Sequence, residues 1–132
     1  MFDLTIIKAA CNHLDAQMSQ SPKGISSSTT FPFFHIFMDG NTIIFKDALE
    51  MAAFGSRPYT TKIIEAEIID TGGQSAVIKL IFQRYDPNGV KTTKAKAIWG
   101  ITKIKNSWKV HWRQFLGDCL LYTSDAADDG LS

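Results

Sequence analysis

Between Thr61 and Phe115 the sequence is dominated by β-favouring residues, broken by three turn signals. These are Thr71-Gly72-Gly73-Gln74, Asp86-Pro87-Asn88-Gly89 and Lys105-Asn106-Ser107, and they divide the stretch into an antiparallel meander of four strands. The runs between turns are much longer than the usual strand of ~5–6 residues, and a sheet of such strands must twist and curl. A curled sheet has a concave side that a helix, its own side chains or a ligand must fill. The meander therefore predicts a cup.

The residues ahead of it supply a cover. Leu4, Ile7, Cys11, Leu14 and Met18 recur at helical spacing, with Asp3 placed to cap the helix, while Asn12, His13, Asp15 and Gln17 lie off that stripe. His13 is accordingly read as a surface residue. Ser19 to Thr30 carries Pro22, Gly24 and a run of Ser and Thr, and is read as loop. Asp39-Gly40, between Phe31–Met38 and Asn41–Phe45, signals a hairpin. Asp47 with Glu50 fits a capping box for a short helix that Gly55 can close, and Ser56-Arg57-Pro58-Tyr59 leads into the meander. With helices first and the sheet antiparallel, the fold class is α+β, the first helix packing its apolar stripe on the concave sheet face.

The length fits one domain, and the apolar fraction of 45% and charged fraction of 20% are ordinary for a globular chain. No apolar run approaches the ~18 residues a membrane span needs. Met1-Phe2-Asp3-Leu4 lacks the start of a secretory signal, so the default compartment is the cytoplasm. The segment from Cys119 to Asp128 resembles the translation of a sequencing-library adapter. Residues 1–118 are therefore taken as the domain and 119–132 as a non-native, disordered tail. Without Asp125, Asp128 and Asp129 the formal charge moves from +1 to +4, and Cys11 remains as the single cysteine. One thiol makes neither an internal disulfide nor a cysteine metal site.

Three stretches resemble the nuclear transport factor 2-like superfamily, in particular its SnoaL-like branch. Phe31-Pro32-Phe33-Phe34-His35-Ile36, then Asp39-Gly40 and the Lys46–Phe54 helix, is similar to the family's first hairpin and small helix. Phe82-Gln83-Arg84-Tyr85-Asp86-Pro87-Asn88-Gly89 resembles a frequent strand and turn. Ala97-Ile98-Trp99-Gly100-Ile101-Thr102-Lys103 followed by Asn106-Ser107-Trp108-Lys109-Val110 resembles the closing hairpin. The resemblance implies a cone of curved antiparallel sheet around a pocket, often paired as a homodimer through the sheet. It does not imply one activity, since the superfamily holds isomerases, dehydratases, cyclases, epoxide hydrolases and members without catalysis.

Family enzymes work with a carboxylate or His inside the apolar cone, so the candidates are polar side chains able to face inward. Strand alternation groups Ile64, Ala66, Ile68 and Asp70 on one face, with Ile63, Glu65, Glu67 and Ile69 on the other. His35 stands among Phe33, Phe34, Ile36 and Phe37, and an imidazole ordinarily changes charge near neutral pH. On the last strand, either Trp108, Val110 and Trp112 face the core, or His111 and Arg113 line the pocket. In the second case Arg113 is placed to hold an anionic ligand. Arg84, Tyr85 and Trp99 complete the set.

The leading expectation is an apolar pocket for a small organic molecule, with Tyr85, Trp99 and Arg113 as ligand-binding residues. One alternative is a proton-transfer enzyme of the isomerase, dehydratase or cyclase kind using His35 or Asp70, and another is a non-catalytic dimerisation module. Nothing resembles a phosphate loop, a metal cluster or a Ser-His-Asp arrangement, so neither metal nor cofactor is expected. Lys91, Lys94, Lys96, Lys103, Lys105 and Lys109 crowd the last hairpin. They read as a solvated face rather than a nucleic-acid surface.

Overall fold

The computed structural model describes residues 4–54 and 60–118. Asp3, Gly55, the segment Ser56–Tyr59 and everything from Cys119 lie outside the described residues. The order is α1 (Leu4–Met18), α2 (Pro22–Ser28), β1 (Thr29–Ile36), β2 (Thr42–Phe45), α3 (Ala48–Ala52), β3 (Thr60–Thr71), β4 (Ser75–Tyr85), β5 (Lys91–Ile104) and β6 (Ser107–Asp118). The strands form one curved, unclosed six-stranded sheet in the order β2-β1-β6-β5-β4-β3. The meander is present as expected, with strands of 11 to 14 residues. The sheet is mixed rather than wholly antiparallel, because β1 runs parallel to β6. The two hairpin groups meet through that pair, and only a crossover through α3 and the long β3 can return the chain to the far edge.

The segment read as loop contains α2. Ser21 is its N-cap, accepting a hydrogen bond from the Gly24 amide at 3.1 Å, and Pro22 opens the first turn, where its missing N–H costs nothing. The serines that argued against a helix satisfy themselves on it: Ser28 Oγ donates to the Gly24 carbonyl at 2.8 Å. Ile25 is fully buried beneath α1. The short α3 has the expected cap, with Asp47 accepting from the Glu50 amide at 2.9 Å.

α1 is rotated from the expected stripe. Its buried face is Ile6, Ala9, Ala10, His13 and Ala16, and Leu4 is exposed. Alanines let the helix axis approach the sheet closely, which larger side chains on the Leu4–Met18 stripe would prevent. The core between this face and the sheet contains Ile6, Phe33, Ile78, Leu80, Ile101 and Val110. Each such burial contributes ~1.5–3 kcal/mol against chain entropy.

Bulges bend the sheet and reset the phase of its strands. In β3 the pairing passes from Ile63 to Glu65 and from Ile68 to Asp70, each time skipping a residue. Ile63, Ala66 and Ile68 therefore pack on the core, while Ile64 and Ile69 bulge out into solvent. In β6 the pairing passes from Val110 to Trp112, skipping His111. Val110 and Arg113 consequently face the same interior, and Trp112 lies on the outside. Neither strict alternation of the last strand holds.

Candidate functional site

A cavity of about 260 Å³ opens between α1 and the concave face of β1, β6, β5 and β4. Its walls are Phe37, Phe54, Phe82, Trp99 and Phe115, with Leu14 and Met18 from α1. Polar groups enter it from Gln17, His35, Thr61, Arg84 and Arg113, and among the described residues no carboxylate lines it. A larger groove of about 320 Å³ lies outside, between α1 and α2 beside Trp108, but alanines and serines dominate its lining. Among the described residues that groove carries Asp15 but no cationic or imidazole side chain, so the chemistry converges on the smaller cavity.

His35 and Arg113 are neighbours in register on the parallel pair β1 and β6. Arg113 is 7% exposed. Its Nη1 donates to His13 Nε2 and to Gln17 Oε1, both at 3.3 Å, and its Cζ stands 4.9 Å from the centroid of the Phe33 ring. These contacts and the cation–π interaction, worth ~2 kcal/mol when desolvated, offset part of the cost of burying the charge.

His13 is fully buried beneath Arg113. A guanidinium only donates, so His13 Nε2 must carry the lone pair and the proton must sit on Nδ1. Nδ1 then donates to Thr29 Oγ1 at 2.8 Å. Burial first, then the Arg113 charge, then His35, hold this imidazole well below its usual pKa. It stacks on Phe33 and meets Trp99 edge-on, so it acts as a neutral, fixed support.

The sequence candidates separate across the sheet. His35 lies on β1, between β2 and β6 rather than at the sheet edge, and lines the cavity, its ring 4.8 Å from that of Phe37. Trp99, 3% exposed, and Arg113 line it too. Asp70 does not share the face of Ala66 and Ile68. The bulge at Ile69 pairs it with Val77, on the outer side, where it is exposed and accepts from the Thr71 amide at 2.9 Å. Tyr85 also points outward, with the Lys62 ammonium 5.6 Å from its ring centroid. Arg84, paired with Thr61, turns inward to the rim and forms a salt bridge to Asp118 at 3.0 Å.

The surface assignment of His13 is wrong. The signal was present as the spacing Ile6, Ala10, His13, Gln17, which is helical but carries little hydrophobicity. Gln17 was missed for the same reason.

No protein-family model matches the sequence, and no curated protein matches it. Solved structures do resemble the fold. A Nostoc punctiforme protein of unknown function with a cystatin-like fold superposes with a TM-score of 0.70 at 15% identity, covering 91% of this chain and 93% of that one. An NTF2-like protein with a cystatin-like fold from Novosphingobium aromaticivorans gives 0.66 at 12% identity, covering 91% and 81%. The association domain of C. elegans CaMKII gives 0.64 at 13% identity, covering 83% and 91%.

Proposed function

We propose that this chain, which has the nuclear transport factor 2-like fold, binds a small organic molecule in the cup between α1 and the sheet. The observation that carries the reading is the convergence of His35 and Arg113, adjacent across β1 and β6, on a cavity walled by aromatic rings. An apolar enclosure with a few convergent polar groups is the usual form of a small-molecule site. Proton transfer, if the bound molecule is also a substrate, falls to His35 in this reading, as the imidazole that lines the cavity.

A thermal-shift screen of small ring compounds tests it. A compound present at ~100 times its Kd adds ~2.7 kcal/mol of stability, a rise of several degrees. Thr61→Phe, which puts a ring into the cavity lining, abolishes that rise without unfolding the chain. Absence of stabilisation by any compound contradicts the reading.

A second reading, association of two copies through the outer sheet face, is supported by Phe34, Ile36, Ile44 and Trp112. The β1–β2 and β1–β6 registers bring these residues together there, and Ile44 is 57% exposed. The likeness to a kinase association domain favours the same reading. Sedimentation at micromolar concentration gives a dimer mass if this holds and a monomer mass if it does not.

A further inference from the structure

We infer that the outer groove between α1 and α2 is a second binding site, one that takes an uncharged, hydroxyl-rich ring of the monosaccharide class beside Trp108. It lies apart from the cup and stands or falls separately from the cavity reading.

Shape is the first argument. The helices meet at Ala16 and Gly24, where an added β-carbon would stand 3.1 Å from the Ala16 methyl. The groove is therefore bounded there by close-packed backbone rather than by long movable side chains. Lys109 Nζ donates to the Ser26 carbonyl at 3.5 Å, which ties α2 to the strand that carries Trp108. The space left is about 320 Å³. Small-molecule sites begin at ~300 Å³, so this one suits a single six-membered ring with its substituents.

The hydrogen-bond inventory is the second. Ser19 Oγ donates to the Ala16 carbonyl at 3.2 Å, and Ser27 Oγ donates to the Gly24 carbonyl at 3.0 Å. Each hydroxyl has committed its one proton and keeps its lone pairs. Asp15 adds a carboxylate, and Asn12, three residues earlier on the same exposed face of α1, adds an amide. Ser21, whose oxygen accepts from the Gly24 amide, retains a proton to give. The lining is rich in acceptors with a few donors among them. Neighbouring hydroxyls of a sugar, each donor and acceptor at once, match that set.

Charge is the third. An anion would meet Asp15 with no cation in the lining among the described residues. An organic cation would suit Asp15 and an indole, but the Lys103 ammonium already stands over the Trp108 ring, 5.6 Å from its centroid. That ammonium repels a second cation. A neutral ring meets neither penalty, and its C–H groups are drawn to the negative face of an aromatic system.

Backbone and indole N–H NMR titration of the full chain with glucose, galactose and N-acetylglucosamine is the test, with choline and acetate as charged controls. At least one sugar gives saturable shifts at Asn12, Asp15, Ser27 and the Trp108 indole, with a Kd of ~1–10 mM. Trp108→Leu weakens that binding by about tenfold or more. Because Trp108 also packs on the core, Asp15→Ala is run beside it, an exposed helical position where alanine keeps the fold. It too lowers the affinity by about tenfold, through the lost charge-assisted hydrogen bond. Wild-type affinity in Asp15→Ala overturns the inference. Tighter binding of choline or acetate at these residues overturns the neutral class. Sugar shifts at His35, Trp99 and Phe115 instead overturn the second site. Saturation by none of the three sugars overturns the inference and leaves the cavity reading untouched.

Discussion

His13 and Arg113 are each other's reason for being buried. The guanidinium needs an acceptor, and a neutral imidazole whose other nitrogen is tied to Thr29 supplies one. This has a pH consequence with a definite sign. The folded-state pKa of His13 lies well below the unfolded value of 6.5, so below pH 6.5 the unfolded chain takes up a proton that the folded chain refuses. Stability from this residue is complete above that pH and is lost as pH falls toward the folded pKa. Between pH 7.5 and 5.5 the loss is on the order of 1 kcal/mol. Urea unfolding at both pH values should show wild type losing that much more than His13→Gln; equal losses contradict the assignment. None of this was legible in the residue itself, because a His between alanines on a helix looks solvent-facing until the helix is seen pressed against the sheet.

At the scale of elements, turns were legible and bulges were not. Asp39-Gly40, Asn88-Gly89 and Lys105-Asn106 carry positive φ at Gly40, Gly89, Lys105 and Asn106, a local demand that residue type announces. A bulge such as that at His111 is set by how long strands must bend around a core. Apolar residues on both faces of β6 leave alternation no way to detect it. The same blindness put Asp70 on the wrong side of β3 and left α2 unrecognised, since its serines satisfy their hydroxyls only once the helix exists.

The β6 bulge also places Trp112 flat against Gly100 on the outer face, where a β-carbon at position 100 would overlap the indole. Gly100→Ala should therefore cost ~1–3 kcal/mol, and Trp112→Leu in the same chain should recover part of it. A Gly100→Ala variant as stable as wild type by chemical denaturation would show that Trp112 does not sit there.

For the whole molecule, the long strands and the amphipathic N-terminal helix were enough to anticipate a cup with a cover. The inward chemistry depended on phase shifts along the strands that sequence periodicity could not supply. What results is a sheet with two different faces. The inner one presents aromatic walls and an immobilised cation. The outer one carries Glu65, Glu67 and Asp70 on β3, Lys79 and Lys96 toward the middle, and an apolar band on β6, β1 and β2. The central claim is that small molecules enter the inner face beside Arg113. Its most direct test is a backbone amide NMR titration with a ring compound that stabilises the chain in the thermal screen. The account predicts saturable shifts concentrated at His35, Trp99, Arg113 and Phe115. Shifts confined to the outer face around Phe34 and Trp112, or to the groove around Asn12 and Ser27, would contradict it.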